Sequence, residues 1–403
     1  KAAPSTGDVM ITGFDFSGTG IDADDIVSVQ FGASLDHNKY SVGDGAFEGF
    51  INLQAISSYG FGSIGENAFA DCVKLQTLNL TYSESDWNNV EIKAGNDYLL
   101  ACKPRPGCTI NLLDSNNNAW VIQYDESGDS ASATVTKGEK GNGVVDSYPG
   151  SLYDSDYTYA KIMSAVTELT IGDGITAYNG DGYKAFLLSL QEVNIEDGLT
   201  TIGDRAFASC DDLTSITIPA NVISIGTSAF NGCSSLESVT LNEGLKSIGN
   251  SAFSGTAIKE ITIPTGVETV GRTAFLDCAS LEKVVFGNVG EIGYNAFQYC
   301  SQLASVIFNG DVGTIGSGAF AETPLTELTF NGDVGTIGGT DVLSDGAFAD
   351  CKELKNVCFN GKIGQINVST FSNCTALASV DFENGDPERI GFSAFDGCTS
   401  LTS

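Results

Sequence analysis

Cations are scarce in this chain: 403 residues carry 19 Lys and Arg against 51 Asp and Glu, a net charge of −32. That imbalance keeps an elongated protein dissolved, and it leaves no basic patch for a nucleic acid or an anionic membrane. A cationic partner remains compatible with it. Histidine occurs once, as His37 in Asp36-His37-Asn38, and with no nucleophile motif beside it the reading is a surface loop residue. The chain has no Gly-x-Ser-x-Gly elbow, no Ser-x-x-Lys pair and no glycine-rich loop ending in Gly-Lys-Ser/Thr. Among 51 acids any two carboxylates are too unspecific to read as a glycosidase pair. These absences predict a non-catalytic protein without a cofactor. No apolar run approaches the ~18–20 residues that span a bilayer, so no transmembrane segment is expected. Lys1-Ala-Ala-Pro-Ser reads as a trimmed or mature start, and Leu401-Thr-Ser stops where a strand is due, so the last coil reads as cut short or uncapped.

What the chain has in abundance is one phrase. Ile225-Gly226-Thr-Ser-Ala229-Phe230-Asn-Gly-Cys233-Ser-Ser-Leu236-Glu-Ser-Val239-Thr-Leu241 returns with its central Phe at 47, 69, 186, 207, 230, 253, 275, 297, 320, 348, 371 and 395. Most steps are 22 or 23 residues. A unit that short cannot bury its apolar face alone and must stack on its neighbours, so a fixed period of this size predicts a solenoid. Within a unit, Ile216 and Ile218 lie two apart on one side of a short strand, with Ser215 and Thr217 on the other. Pro219, or Asn at 309, 331 and 360, ends that strand. A second extended piece runs to Gly226, and Ala229-Phe230-Asn-Gly-Cys233 predicts one or two turns of helix with Phe filling the coil.

The phrase resembles the BspA-like bacterial leucine-rich repeats, also called the treponemal type, over roughly residues 42–80 and 165–403. Trp87-Asn-Asn-Val-Glu-Ile-Lys-Ala-Gly95-Asn96-Asp-Tyr-Leu99-Leu100 is similar to segments that close a repeat run in such proteins, and Glu168-Leu-Thr-Ile171-Gly-Asp-Gly174-Ile175 to the start of the next run. The resemblance implies an α/β repeat solenoid, a leucine-rich-repeat superhelix of short parallel strands, bends and short helices. It also implies a secreted or surface-anchored protein used for adhesion or protein–protein contact, with extracellular or host proteins as partners. It names no ligand, since fold and function separate.

Eight of the eleven cysteines (Cys72, Cys210, Cys233, Cys278, Cys300, Cys351, Cys374 and Cys398) stand three residues after the marker Phe. Phe50, Ser189, Thr256 or Thr323 fills that slot in other copies, which argues for a structural ladder of small buried groups rather than ligands. With no Cys-x-x-Cys and no Cys/His cluster, zinc is not expected. Cys102-Lys-Pro-Arg-Pro-Gly-Cys108 lies off the repeat, in a tight loop that either closes as a disulfide in an oxidising compartment or stays reduced. Asp22, Asp24 and Asp25, and Asp154 with Asp156, are candidate calcium ligands that lack the EF-hand spacing.

Three blocks follow: a repeat block at 1–85, a non-repeat β-rich insert at 86–160 that interrupts the solenoid, and the main repeat block at 161–403. The insert carries both tryptophans and two alternating pieces, Trp120–Tyr124 and Ser130–Thr136. Residues 339–344 lengthen one step to 28 and predict a surface loop. The outward position of successive strands reads Thr170, Asn194, Thr217, Thr240, Thr262, Val285, Ile307, Thr329, Cys358 and Asp381. Val285 and Ile307 make an apolar step on an otherwise polar ribbon, and Lys283 beside them is a rare cation. Partner contact is therefore expected at Lys283, Val285, Ile307, Thr329 and Cys358 of a monomer; strand propensity alone also explains Val and Ile there. Two alternatives stand beside a protein-binding module: a carbohydrate-binding surface protein, with Trp87 and Trp120 as the available platforms, and a spacer with no specific ligand.

Overall fold

The computed structural model describes residues 9–11, 13, 22–31, 40–58, 60–75, 77–80, 87–113, 116–146, 162–180, 187–339, 345–383 and 385–402. His37, Asp154, Asp156, the marker Phe186 and residues 340–344 of the expected surface loop lie outside them. The chain divides into two compact units, residues 1–141 with 148–167, and residues 142–147 with 168–403.

In the second unit each repeat is one turn of a parallel β-solenoid. The first strands, from Ser215–Thr217 to Ser379–Phe382, form an eight-stranded parallel sheet; the second strands, from Val144–Val145 to Arg389–Ile390, form one of eleven strands. Pairing is in register: Ile261 lies beside Val284, Val284 beside Val306, Val306 beside Leu328 and Leu328 beside Val357. Alternation supplies the reason, because slipping by one residue would turn every Ile, Val and Leu of this column to solvent. The marker phenylalanines pile up inside, Phe207, Phe230, Phe253, Phe275, Phe297, Phe320, Phe348 and Phe371 each stacked on the next with centroids 4.8–5.4 Å apart. Each of these rings is at most 1 % exposed, a burial that contributes about 1.5–3 kcal/mol apiece.

The expected short helix is absent from these turns. Helix among the described residues is confined to a single 3₁₀ turn at Ala23–Asp25, the helix Asp97–Cys102 and short stretches at 87–88 and 162–164. Around the described marker Phe residues the backbone is instead a run of turns, in most of them with left-handed residues two before and two after the Phe: Thr273 and Asp277 (φ 53° and 57°) around Phe275, Asn295 and Tyr299 (55° and 64°) around Phe297. Left-handed residues cannot continue a right-handed helix. The segment satisfies its N–H groups across turns of the solenoid, as in Phe275 N donating to Ala296 O and Phe297 N to Ala319 O, both at 2.7 Å.

The first unit holds the same device in fewer turns. Val9–Ile11, Tyr40–Val42, Phe61–Ile64 and Glu91–Ile92 form one parallel sheet, Ser28–Gln30, Ala55–Ser58 and Thr77–Leu80 another, and Phe47 stacks on Phe69 at 4.9 Å. The segment from Trp87 closes this run. Trp87 is fully buried and donates from Nε1 to Lys103 O (2.9 Å). Asn96, also buried, donates from Nδ2 to Gly65 O and Lys93 O (2.8 Å each) and accepts from Phe69 N (3.0 Å) on Oδ1. Beyond it, Thr109–Leu113, Ala119–Tyr124 and Ala131–Thr136 pair antiparallel, with Trp120, Ile122 and Val135 turned inward.

Candidate functional site

From Thr217 to Asp381 the outward positions share one sheet, whereas Thr170 and Asn194 lie in another. Thr262 pairs with Val285, Val285 with Ile307, Ile307 with Thr329, Thr329 with Cys358 and Cys358 with Asp381; in the next column Glu260, Lys283, Ser305, Glu327, Asn356 and Ser379 follow one another. At about 4.8 Å per turn the step made by Val285 and Ile307 is one contiguous patch. It is flatter than expected: Lys283, Val285, Ile307, Thr329 and Cys358 are all half-buried, whereas Thr217, Thr240 and Thr262 are exposed. The Cys358 thiol lies 3.0 Å from Asn360 Oδ1, and burial, then the carboxylates of Asp381 and Glu383, push its pKa up.

Sequence reasoning missed the more exposed apolar side chains, Ile223, Tyr294, Tyr299 and Phe392 among them. Tyr294 sits in the bend after its second strand under the Arg272 guanidinium, 4.9 Å from the ring centroid, and Tyr299 occupies a left-handed position where other copies hold Asp277 or Asp350. Their only signal in the sequence was a large aromatic residue at a slot that most copies fill with a polar residue or glycine. Both tryptophans are fully buried, so neither offers the platform a sugar ring would need.

A shallow depression of about 330 Å³ lies on the second-strand side, lined by Gly266, Val267, Glu268, Asn288, Val289, Gly290, Asp311 and Gly313. Its floor is backbone. A Cβ at Gly290 would stand 2.4 Å from Glu268 O, one at Gly313 2.2 Å from Gly290 O and one at Gly335 2.3 Å from Gly313 O, so these turns admit only glycine at that place.

The cysteine ladder has a hydrogen-bonding role that spacing alone did not reveal. Seven of the eight thiols donate to the marker Phe carbonyl of the preceding turn: Cys72 to Phe47 O, Cys233 to Phe207 O, Cys278 to Phe253 O, Cys300 to Phe275 O, Cys351 to Phe320 O, Cys374 to Phe348 O and Cys398 to Phe371 O, at 2.9–3.3 Å. Thr256 and Thr323 fill the slot by bonding their own marker carbonyls, Phe253 O at 2.9 Å and Phe320 O at 2.7 Å. Burial pushes the Cys72 thiol up to about 12; hydrogen bonding to Cys233, then burial, raises Cys210. A thiol so held is a poor nucleophile. Cys102 and Cys108 are not joined to each other. The reason is local: Cys102 turns back along its helix to donate to Tyr98 O (3.2 Å), while the Cys108 sulfur accepts from Arg105 N (3.4 Å).

Asp22 N donates to Asp25 Oδ2 (2.9 Å) within the 3₁₀ turn. Among the described residues no group of three or more His, Cys, Asp or Glu side chains is arranged to hold a metal ion, and no helix is long and apolar enough to cross a membrane.

The family model for BspA type leucine rich repeat regions matches in six copies, over residues 30–91, 155–282, 235–341 and 339–403. A leucine-rich repeat protein of Bacteroides ovatus is 24 % identical, covers 100 % of this chain and 91 % of its own, and superimposes with a TM-score of 0.51. One from Eubacterium ventriosum is 19 % identical over 99 % of this chain and 90 % of its own (TM-score 0.38). A leucine rich cell surface protein of Faecalibacterium prausnitzii is 21 % identical over 94 % of this chain and 83 % of its own (TM-score 0.30). No curated protein matches the chain.

Proposed function

This chain belongs to the BspA-type leucine-rich repeat family, and from that premise we propose that it is a non-catalytic, cell-surface adhesion or protein-interaction module whose first-strand sheet is the contact face. The observation that carries the reading is the residue-by-residue register of that sheet, which sets outward side chains of successive turns side by side as a rigid, extended ribbon. Such ribbons suit macromolecular partners: a ligand gains contacts turn by turn, and a backbone fixed by neighbouring turns loses little entropy on binding. Burial and hydrogen bonding that raise the Cys72 and Cys210 thiols fit a structural role for those positions of the ladder.

Contact is placed at Lys283, Val285, Ile307, Thr329 and Cys358, where the ribbon turns apolar. The test is capture of extracellular proteins on the immobilised chain, followed by affinity measurement with Val285→Asp and Ile307→Asp. Binding that weakens tenfold or more while the far-UV spectrum and melting midpoint hold supports the reading, and unaltered affinity overturns it. Carbohydrate recognition is a second reading, favoured by the exposure of Tyr294 and Tyr299. A glycan array probed with the same sample separates the two, with Tyr294→Ala as its control.

A further inference from the structure

The charges around the apolar step identify the kind of partner that would fit it. Glu260 and Glu327 stand in the column beside Val285 and Ile307, three turns apart with Lys283 and Ser305 between them. At about 4.8 Å per turn the two carboxylates bracket the step from roughly 14 Å apart. Both are exposed, as are Glu282 at the flank and Asp381 and Glu383 beyond Cys358. The ion pairs found among the described residues are Lys93 with Asp44, Lys259 with Glu237 and Lys352 with Asp350. None of these five acids takes part, whereas Glu237, on the same face, is neutralised by Lys259 at 2.6 Å. The Cys358 thiol is raised by burial first and then by the Asp381 and Glu383 carboxylates. The patch is therefore a small apolar centre in which one cation, Lys283, stands among the carboxylates of Glu260, Glu282 and Glu327, so the local balance is acidic, on a chain of net charge −32.

An acidic or neutral partner would leave those carboxylates desolvated and unmatched at the rim. One bearing Lys or Arg around a single apolar anchor would match them and gain rate as well as affinity from long-range attraction. Building on the proposal that the first-strand face is the contact surface, we infer that its partner is a basic polypeptide segment, seated with one branched or aromatic side chain on Val285 and Ile307 and its cations on Glu260, Glu282 and Glu327.

The probe is a synthetic lysine- and arginine-rich peptide with a central Leu-Phe pair, measured against the full chain by fluorescence anisotropy at 50 and 300 mM salt. Its counterpart carries the same Leu-Phe pair among glutamates. Expected results are a loss of about tenfold in affinity for the basic peptide between the two salt concentrations, where the Debye length shortens from ~14 to ~6 Å, and no binding of the acidic one. The double variant Glu260→Gln, Glu327→Gln is expected to weaken binding about fivefold and flatten the salt dependence, and Val285→Ser with Ile307→Ser to weaken it five- to tenfold at both. Glu268→Gln with Asp311→Asn, on the second-strand side, is expected to change nothing. If the face variants and the second-strand variants act alike, the peptide is attracted to the acidic chain as a whole and the inference fails. If the serine pair abolishes binding but the glutamine pair and salt do not matter, the contact face stands and the basic partner is wrong. Should hydrogen-exchange protection by the peptide appear in the second strands Val267–Val270, Val289–Ile292 and Val312–Ile315 and not in the first strands Lys283–Phe286, Ser305–Phe308, Glu327–Phe330 and Asn356–Phe359, both readings fall together.

Discussion

Early and late turns of the second unit solve one packing problem with different side chains. In two early turns the second inward residue is Ile218 or Ile263, followed by a proline, and a single column of marker rings fills the coil. From Phe286 onward the same inward place is aromatic. Phe286, Phe308, Phe330, Phe359 and Phe382 build a second stack at 4.6–5.4 Å, its rings nearly perpendicular to the first column, with Phe286 against Phe297 at 84° and Phe308 against Phe320 at 88°. The second strands also lengthen, from two residues at Ser224–Ile225 and Ser247–Ile248 to four from Val267–Val270 onward, as at Val312–Ile315 and Val334–Ile337, and at the last two glycine takes the place held by Ile223, Lys246 and Glu268. Bulk moved into the core in the late turns and left the outer surface of the second strand. The apolar step of Val285 and Ile307 rides on that doubly braced part.

The difference is open to attack at its strongest point first. Phe320 belongs to one stack and touches the other, meeting Phe297 and Phe348 face to face and Phe286 and Phe308 edge-on. Phe320→Ala is expected to cost about 4–5 kcal/mol in urea unfolding, at the top of the ~3–5 kcal/mol range for a buried ring, because edge-to-face pairs add to the loss. Phe253→Ala, with stacking partners only in Phe230 and Phe275, belongs at about 3 kcal/mol; equal losses would erase the distinction between the two kinds of turn.

Next is the glycine column. Gly313→Ala sets a Cβ against Gly290 O and is expected to destabilise by about 1–3 kcal/mol, the usual range for overpacking. Lys246→Ala at the corresponding early position is expected to stay within about 0.5 kcal/mol. A harmless Gly313→Ala would mean that the late turns can separate.

The thiol ladder tests what the two regions share. Cys300→Val removes the donor to Phe275 O and is expected to cost about 1 kcal/mol. Cys300→Thr should be milder, as Thr256 and Thr323 already occupy that slot. Reversed order would leave volume, not hydrogen bonding, as the reason for cysteine.

Smallest of all are the outward residues. Ile307→Ala, half-buried, is expected to cost about 1 kcal/mol or less, and Thr240→Ala, exposed, nothing measurable by thermal melting.

The solenoid was legible because its evidence is periodic. Ile and Val two apart, then Gly, then Ala-Phe, recurring every 22 or 23 residues, leave no arrangement but stacking. The inward and outward sets followed, and with them the ribbon from Thr217 to Asp381. The turn around the marker Phe was misread as helix because Ala-Phe-x-x-Cys has helical spacing. What decides against it is that N–H groups such as Phe275 N find acceptors one turn away along the axis, a partner no local pattern can display. For Cys102 and Cys108 the sequence left a bonded and a reduced loop open, because closeness along the chain does not fix direction; the helix and loop direct each sulfur to its own backbone partner. The tryptophans, offered as platforms, are core.

Sequence alone thus determined the repeat, the register and which side chains face inward, since alternation and period are properties of one dimension that stacking merely copies. The tertiary structure decided how each turn closes, how far Val285 and Ile307 stand out of the sheet and which glycines are obligatory. Those depend on distances between residues some 22 positions apart, such as the 2.2 Å between a Cβ at Gly313 and the oxygen of Gly290, and become defined only when one turn lies on the next.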